Sequence, residues 1–149
     1  MTMLTYVGLA REPLELLAST GYLLARVGSE SRRRFVKALE EHDIALAQYS
    51  VLMILGEVET APQRALADAV GIDPRNLVPI LDELERRGFL RRGSDAGDRR
   101  RHAVALSRAG HALLSELAVA GARAEDGLLS PLSASERQQL HSLLERLLS

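Results

Sequence analysis

Seven arginines fall between positions 86 and 101: Arg86, Arg87, Arg91, Arg92, Arg99, Arg100 and Arg101. Asp95 and Asp98 are the acidic residues among them, so this segment carries +5 while the rest of the chain carries −6. A guanidinium is always charged and offers a planar fork of N–H donors, which suits phosphate oxygens and the edges of nucleic-acid bases. Positive charge gathered on one short segment of an otherwise acidic chain fits a surface that meets a polyanion. The alternative is an arginine-rich turn that is simply solvated. Other chemistries find less support. The 149 residues include no cysteine, which excludes disulfides, thiolate metal sites and thiol-based redox sensing within this chain. His42, His102, His111 and His141 form no i, i+4 pair, and no acidic cluster completes a metal set. Serine, histidine and aspartate are all present, yet no G-x-S-x-G elbow brings them together, and there is no phosphate-binding glycine loop. Neither an enzyme nor a cofactor is expected.

The elements that must position the arginines can be read from local signals. Residues 63 to 70 predict a short helix, with Gly71 suited to the left-handed conformation that ends one. Asp73 is a strong N-cap, and Pro74 needs no N–H at a first helical position. The helix that follows, PRNLVPILDELERRG, directs Leu77, Ile80, Leu81 and Leu84 inward and stops at Gly88. Ala67, Gly71, Leu77 and Ile80 have the spacing of a helix-turn-helix: a small residue where helices cross, a glycine at the turn, and two apolar locks. Pro79 removes a hydrogen bond to Arg75, so a bend or a loosened first turn is expected there rather than a break. Residues 89–92 read as a strand, Gly93 to Arg100 as a turn-rich tip, and residues 102–106 as the return strand. Two strands with a charged tip make a wing.

The flanking segments are helical. One long helix is expected from Pro13 to about Glu41, with Leu14, Leu17, Leu24, Val27, Phe35 and Leu39 as a partly helical apolar stripe. Arg32, Arg33, Arg34 and Lys37 on it read as a solvated face. A second helix covers about Ala47 to Val58, and Thr60-Ala61-Pro62 reads as a turn. Ser107 caps a helix to Leu128 or Leu129. After Pro131, Ser133 and Glu136 form a capping box before a last helix with Leu140, Leu143, Leu144, Leu147 and Leu148 at helical spacing. No apolar run approaches the ~20 residues of a membrane span, and MTMLTYVGLARE lacks the features of a signal peptide, so a cytoplasmic protein with no membrane partner is expected.

The segment DAGDRRRHAVALSRAG resembles the wing signature of the multiple-antibiotic-resistance regulator (MarR) family. That pattern is roughly D-x-x-D-x-R, a short strand ending in L-T, then x-x-G. Asp98, Arg100, Leu106 and Gly110 match, and Ser107 stands for the usual threonine. Residues 44–52 resemble the family's segment opening the second helix, and residues 66–90 its helix-turn-helix. The resemblance implies a mainly α fold with a small β-hairpin wing: a winged helix-turn-helix with N- and C-terminal dimerisation helices. A single domain, 1–149, would comprise dimerisation helices at 13–44 and 108–149 and a DNA-binding part at 45–107. The implied function is a homodimeric regulator of transcription on a near-palindromic double-stranded operator. It would be a repressor, or less often an activator, with repression relieved by a small aromatic or anionic effector. The alternative is a winged-helix protein–protein interaction module without DNA binding; the arginine-bearing wing argues against it. Ala45 and Pro62 depart from the family at positions often held by caps, leaving two helix starts either loose or capped by neighbours such as Thr60. Pro74, Arg75, Asn76 and Pro79 replace a commoner Ser/Thr-rich stretch.

Candidate contacts follow from these placements. Arg75 and Asn76 lie near the start of the reading helix, where Arg suits guanine and Asn suits adenine; otherwise Arg75 meets only phosphate and Asn76 only the helix end. Arg64, Arg86 and Arg91 are phosphate candidates or merely exposed. Side chains alternate in a hairpin, so Arg99, Arg100 and Arg101 divide between DNA and the wing's other face. The resemblance implies that Asp98 and Arg100 brace the wing while a tip arginine enters the minor groove, where a narrow groove favours guanidinium. Tyr22, Arg26, His42 and Tyr49 lie near where the family binds effectors, with ordinary packing as the alternative.

Overall fold

The computed structural model describes residues 14–95 and 98–149, with side chains described for all of these except 14 and 94–102. The chain runs α1 (Leu14–Leu17), α2 (Thr20–Glu40), α3 (Leu46–Glu57), β1 (Ala61–Pro62), α4 (Gln63–Val70), α5 (Pro74–Arg86), β2 (Leu90–Asp95), β3 (Asp98–Leu106), α6 (Arg108–Leu129) and α7 (Ala134–Leu148). The core gathers residues from α2 to α6. Leu39, Leu52, Leu55, Leu66, Leu77 and Leu81 are fully buried there beside Val104 of β3 and Leu117 of α6.

Local chemistry accounts for most boundaries. Ser19 caps α2 by accepting the Tyr22 N–H, Asp73 caps α5 by accepting the Arg75 N–H, and Ser107 caps α6 by accepting the Gly110 N–H. Ser133 and Glu136 form the expected capping box at α7. Gly71 ends α4 at φ 78°, in the left-handed region that costs a residue with a Cβ more than it costs glycine. At Ala45 a methyl group cannot cap α3, and the Gln48 carboxamide instead accepts the Ala45 N–H at 2.9 Å. No side chain caps α4 at Pro62.

Four expectations are corrected or sharpened. The helix expected from Pro13 to Glu41 is interrupted: α1 ends at Leu17 and α2 begins at Thr20, because Ser19 takes an extended backbone and caps the second piece. Residues 61–62, expected in a turn, form an edge strand that pairs antiparallel with β3, Ala61 opposite Val104. The sheet therefore has three strands in the order β1-β3-β2. Pro62 suits such an edge, where a missing N–H costs no ladder bond. Strand pairing in the wing reaches Asp95 and Asp98, well into the tip expected to be turn from Gly93 to Arg100, with an irregularity at Ser94/Asp95. Finally, α5 continues unbroken through Pro79. Its first turn is drawn in, with the Asp73 carbonyl accepting Asn76 N–H at 2.8 Å and Leu77 N–H at 3.2 Å.

The outer helices are less complete within one chain. α2 packs against α6, but Leu23, Leu24 and Val27 on α2 stay exposed, as do Leu143, Leu144, Leu147 and Leu148 on α7. No residue of α7 is buried. Among the described residues no helix is long and apolar enough to cross a membrane.

Candidate nucleic-acid interface

Leu77, Leu81 and Leu84 anchor α5 to the core through one side. At 3.6 residues per turn the opposite side carries Arg75, Pro79, Asp82 and Arg86, all exposed. Asn76 and Val78 flank that stripe and are exposed as well. The turn at Gly71 and the α4–α5 packing fix which side faces out. Arg64 is exposed on α4, and Arg91 is exposed on β2.

The arginine segment does not act as one patch. Arg92 turns back onto α5: its Nη2 donates to Glu85 Oε1 at 2.9 Å and to Asp82 Oδ1 at 2.5 Å, while its backbone N–H donates to Glu85 Oε2 at 2.9 Å. Its side chain is only 24% exposed, and the wing is thereby fastened to the reading helix. Arg87 reaches back to the α2–α3 turn, donating to the Asp43 carbonyl at 2.6 Å and the His42 carbonyl at 3.2 Å, with its guanidinium 5.0 Å from the centre of the Phe89 ring. Arg86 is paired along the helix with Glu83 at 2.7 Å. Arg75 is 91% exposed and bends toward Asp73, with Nε 3.3 Å from Oδ1. The Arg75 backbone N–H and guanidinium hold the Asp73 carboxyl below its usual range, and the Arg92 guanidinium and N–H do the same for Glu85. Glu83 is likewise lowered by Arg86. The side chains of Asp98, Arg99, Arg100 and Arg101 lie outside the described residues; their backbone belongs to β3.

Two features that spacing alone did not explain are seen in the same region. The Ser107 hydroxyl donates to the Gly88 carbonyl at 2.5 Å and accepts the Gly110 N–H at 3.1 Å. Its backbone N–H donates to the Phe89 carbonyl at 3.0 Å. The end of the wing is thus sewn to the end of α5. Gly110 passes so close that a Cβ there would sit 2.0 Å from the Phe89 carbonyl oxygen. The bracing roles of Arg87 and Arg92 were also missed. Their signal was faint: Asp82 and Glu85 stand three apart, on one side of a helix, just before a basic strand.

The four residues suggested for an effector site are not brought together within one chain. Tyr22 and His42 lie near opposite ends of α2, about 30 Å apart by helical rise. Tyr49 packs edge-on against Phe35, ring centres 4.9 Å apart. Arg26 borders a hollow with Val27, Glu30 and Leu128. His42 borders another cleft, between α2 and α6, of about 420 Å³. That cleft is also lined by Arg33, Arg34, Lys37, Glu41 and Arg123, with Ala38, Ala120 and Ala124. Arg33 and Arg34 both bond Glu30, whose carboxyl they lower to about 2.

A family model described as the MarR family matches residues 44–102. A probable transcriptional regulator from Pseudomonas aeruginosa is 30% identical, with TM-score 0.65 over 89% of this chain and 98% of that one. The chain belongs to the MarR family. Wild-type MarR from E. coli, in its apo form, is 26% identical, with TM-score 0.78 over 88% of this chain and 97% of that one. A point mutant of MepR from S. aureus, solved bound to an oligodeoxyribonucleotide, is 26% identical, with TM-score 0.70 over 87% of this chain and 96% of that one. As a MarR protein this chain is a DNA-binding regulator of transcription, not an enzyme, and its α4–α5 pair with the β1-β3-β2 wing forms the winged helix-turn-helix. The reading as an interaction module without DNA binding is set aside on that ground.

Proposed function

We propose that this MarR protein is a homodimeric repressor that binds a near-palindromic operator and is released by a small anionic effector. The observation that carries the DNA part is the union of α5 and the wing through Arg92, Glu85 and Asp82. It joins the exposed reading helix to the hairpin's strand β2, so that the two can present one surface. In this reading Arg75 and Asn76 reach base edges, exchanging Asp73 for guanine in the case of Arg75. Arg64, Arg86 and Arg91 meet phosphates, Arg86 after parting from Glu83. Arg99, Arg100 or Arg101 enters the minor groove, with Asp98 and Arg100 bracing the hairpin. Residues 45–107 form the DNA-binding part, and 13–44 with 108–149 the dimerisation part. The exposed leucines of α2 and α7 support the dimer, since a second copy would remove them from water. Two reading helices about 34 Å apart would then match one turn of DNA.

The α2–α6 cleft supports the effector part. Lys37, Arg123 and His42 line it with Arg33, Arg34 and a single carboxylate, Glu41, beside three alanines, a net positive surround suited to a carboxylate on a compact body. Tenfold release of DNA requires about 1.4 kcal/mol of coupling between the two sites. The test is a salt series on the full-length protein with DNA from upstream of its own coding region, repeated with candidate aromatic acids. Affinity falling steeply with salt supports phosphate contacts. Salt-insensitive or undetectable binding overturns the operator reading, and unchanged affinity with every acid overturns the effector reading.

A further inference from the structure

The reading helix has an apolar middle. Its outward stripe begins with Arg75, continues at Pro79, and reaches Asp82 one turn on and Arg86 a turn beyond that. Asp82 is already engaged by Arg92. Arg86 is engaged by Glu83. Between Arg75 and Asp82 stand Pro79, exposed, and Val78, 39% exposed on the flank nearer the Asp82 and Glu85 carboxylates. Neither side chain has a hydrogen-bonding group, and Pro79 has no N–H either. They cannot be core: the core side of α5 is filled by Leu77, Leu81 and Leu84. Most of the other large exposed apolar residues lie on the outer helices α1, α2, α6 and α7; Val78 stands on the reading helix.

A major groove offers such side chains one matching partner. Every other specific group on its floor is a hydrogen-bond donor or acceptor; the C5-methyl of thymine is apolar. Burying an acceptor or donor against valine or proline would leave it unsatisfied, whereas burying the methyl group removes apolar surface from water on both sides. Resting on the operator reading above, we propose that Val78 and Pro79 form an apolar step that recognises thymine methyl groups, so that each half-site requires a T·A pair where this step lands.

The test uses the full-length protein and the duplex recovered by selection from a random pool. Each thymine of one half-site is replaced in turn by uracil, which removes only the methyl group. Binding is expected to weaken about fourfold at one or two positions, the equivalent of about 0.8 kcal/mol for a buried methyl-sized group. Val78→Ala and Pro79→Ala should each reduce that discrimination, and the double variant should bind thymine and uracil duplexes equally. Both positions are exposed, and alanine at 79 restores a helical N–H, so the fold is expected to survive. A half-site without thymine, a wild-type protein indifferent to uracil throughout, or discrimination undiminished in the double variant overturns the proposal while leaving operator binding intact. Failure of the wild-type protein to select any duplex overturns the operator reading itself.

Discussion

A methyl group at position 110 would have nowhere to go. Its carbon would stand 2.0 Å from the Phe89 carbonyl oxygen and 3.1 Å from a Leu106 methyl, and the first of these is backbone that cannot turn aside. Gly110→Ala is therefore expected to lower stability by about 1–3 kcal/mol or more, in the range of overpacked sites. Gly93→Ala, where an added carbon meets open space, should stay within about 0.5 kcal/mol of the parent, as surface changes do. Denaturant midpoints of the two variants check this, and equal midpoints would contradict the close approach. Ser107→Ala loses both the cap of α6 and the bond to Gly88; a loss of about 0.5–2 kcal/mol is expected for the cap. Threonine there should retain the stability, because it keeps the hydroxyl.

At the scale of elements, the joint between α5 and the wing is electrostatic and titrates. Glu85 is lowered below its ordinary 4.5 by the Arg92 guanidinium and N–H. A carboxylate lowered on folding adds stability above its unfolded value, and that contribution is lost as pH falls through the folded value. The joint should thus be intact at neutral pH and weaken progressively below about 4.5. Glu85→Gln should cost stability at pH 7, and the gap from the parent should narrow on acidification; acid titrations followed by circular dichroism would show it. A gap independent of pH would remove the charge from the account. On the wing itself, the joint replacement of Arg99 and Arg100 by alanine is expected to abolish tight operator binding and leave the dimer intact. Unchanged affinity in a mobility-shift assay would take the hairpin tip out of the mechanism.

Across the whole molecule, α7 is, with α2, a helix whose apolar face one chain leaves open. The Arg137–Asp126 pair at 2.8 Å ties it to α6, while Leu147 and Leu148 remain 68% and 90% exposed. Removing residues from Ser133 onward should convert a dimer to monomers in sedimentation velocity. A truncated chain that still sediments as a dimer would assign pairing to α2 instead. Much of this architecture was legible beforehand. The Gly71 stop, the Asp73 and Ser107 caps and the Ser133–Glu136 box are each set by residues within a few positions of one another, so short-range chemistry reveals them. The family pattern around Asp98–Gly110 was visible for the same reason. Folding settled what long separations control. Arg87 meets carbonyls 44 and 45 residues away, Ala61 pairs with Val104, and Arg92 closes onto Asp82 and Glu85. Those contacts divide the described arginines of the run, Arg86, Arg87, Arg91 and Arg92, into braces and exposed groups. Charge and spacing along the chain are the same for both kinds; only their surroundings in three dimensions tell them apart.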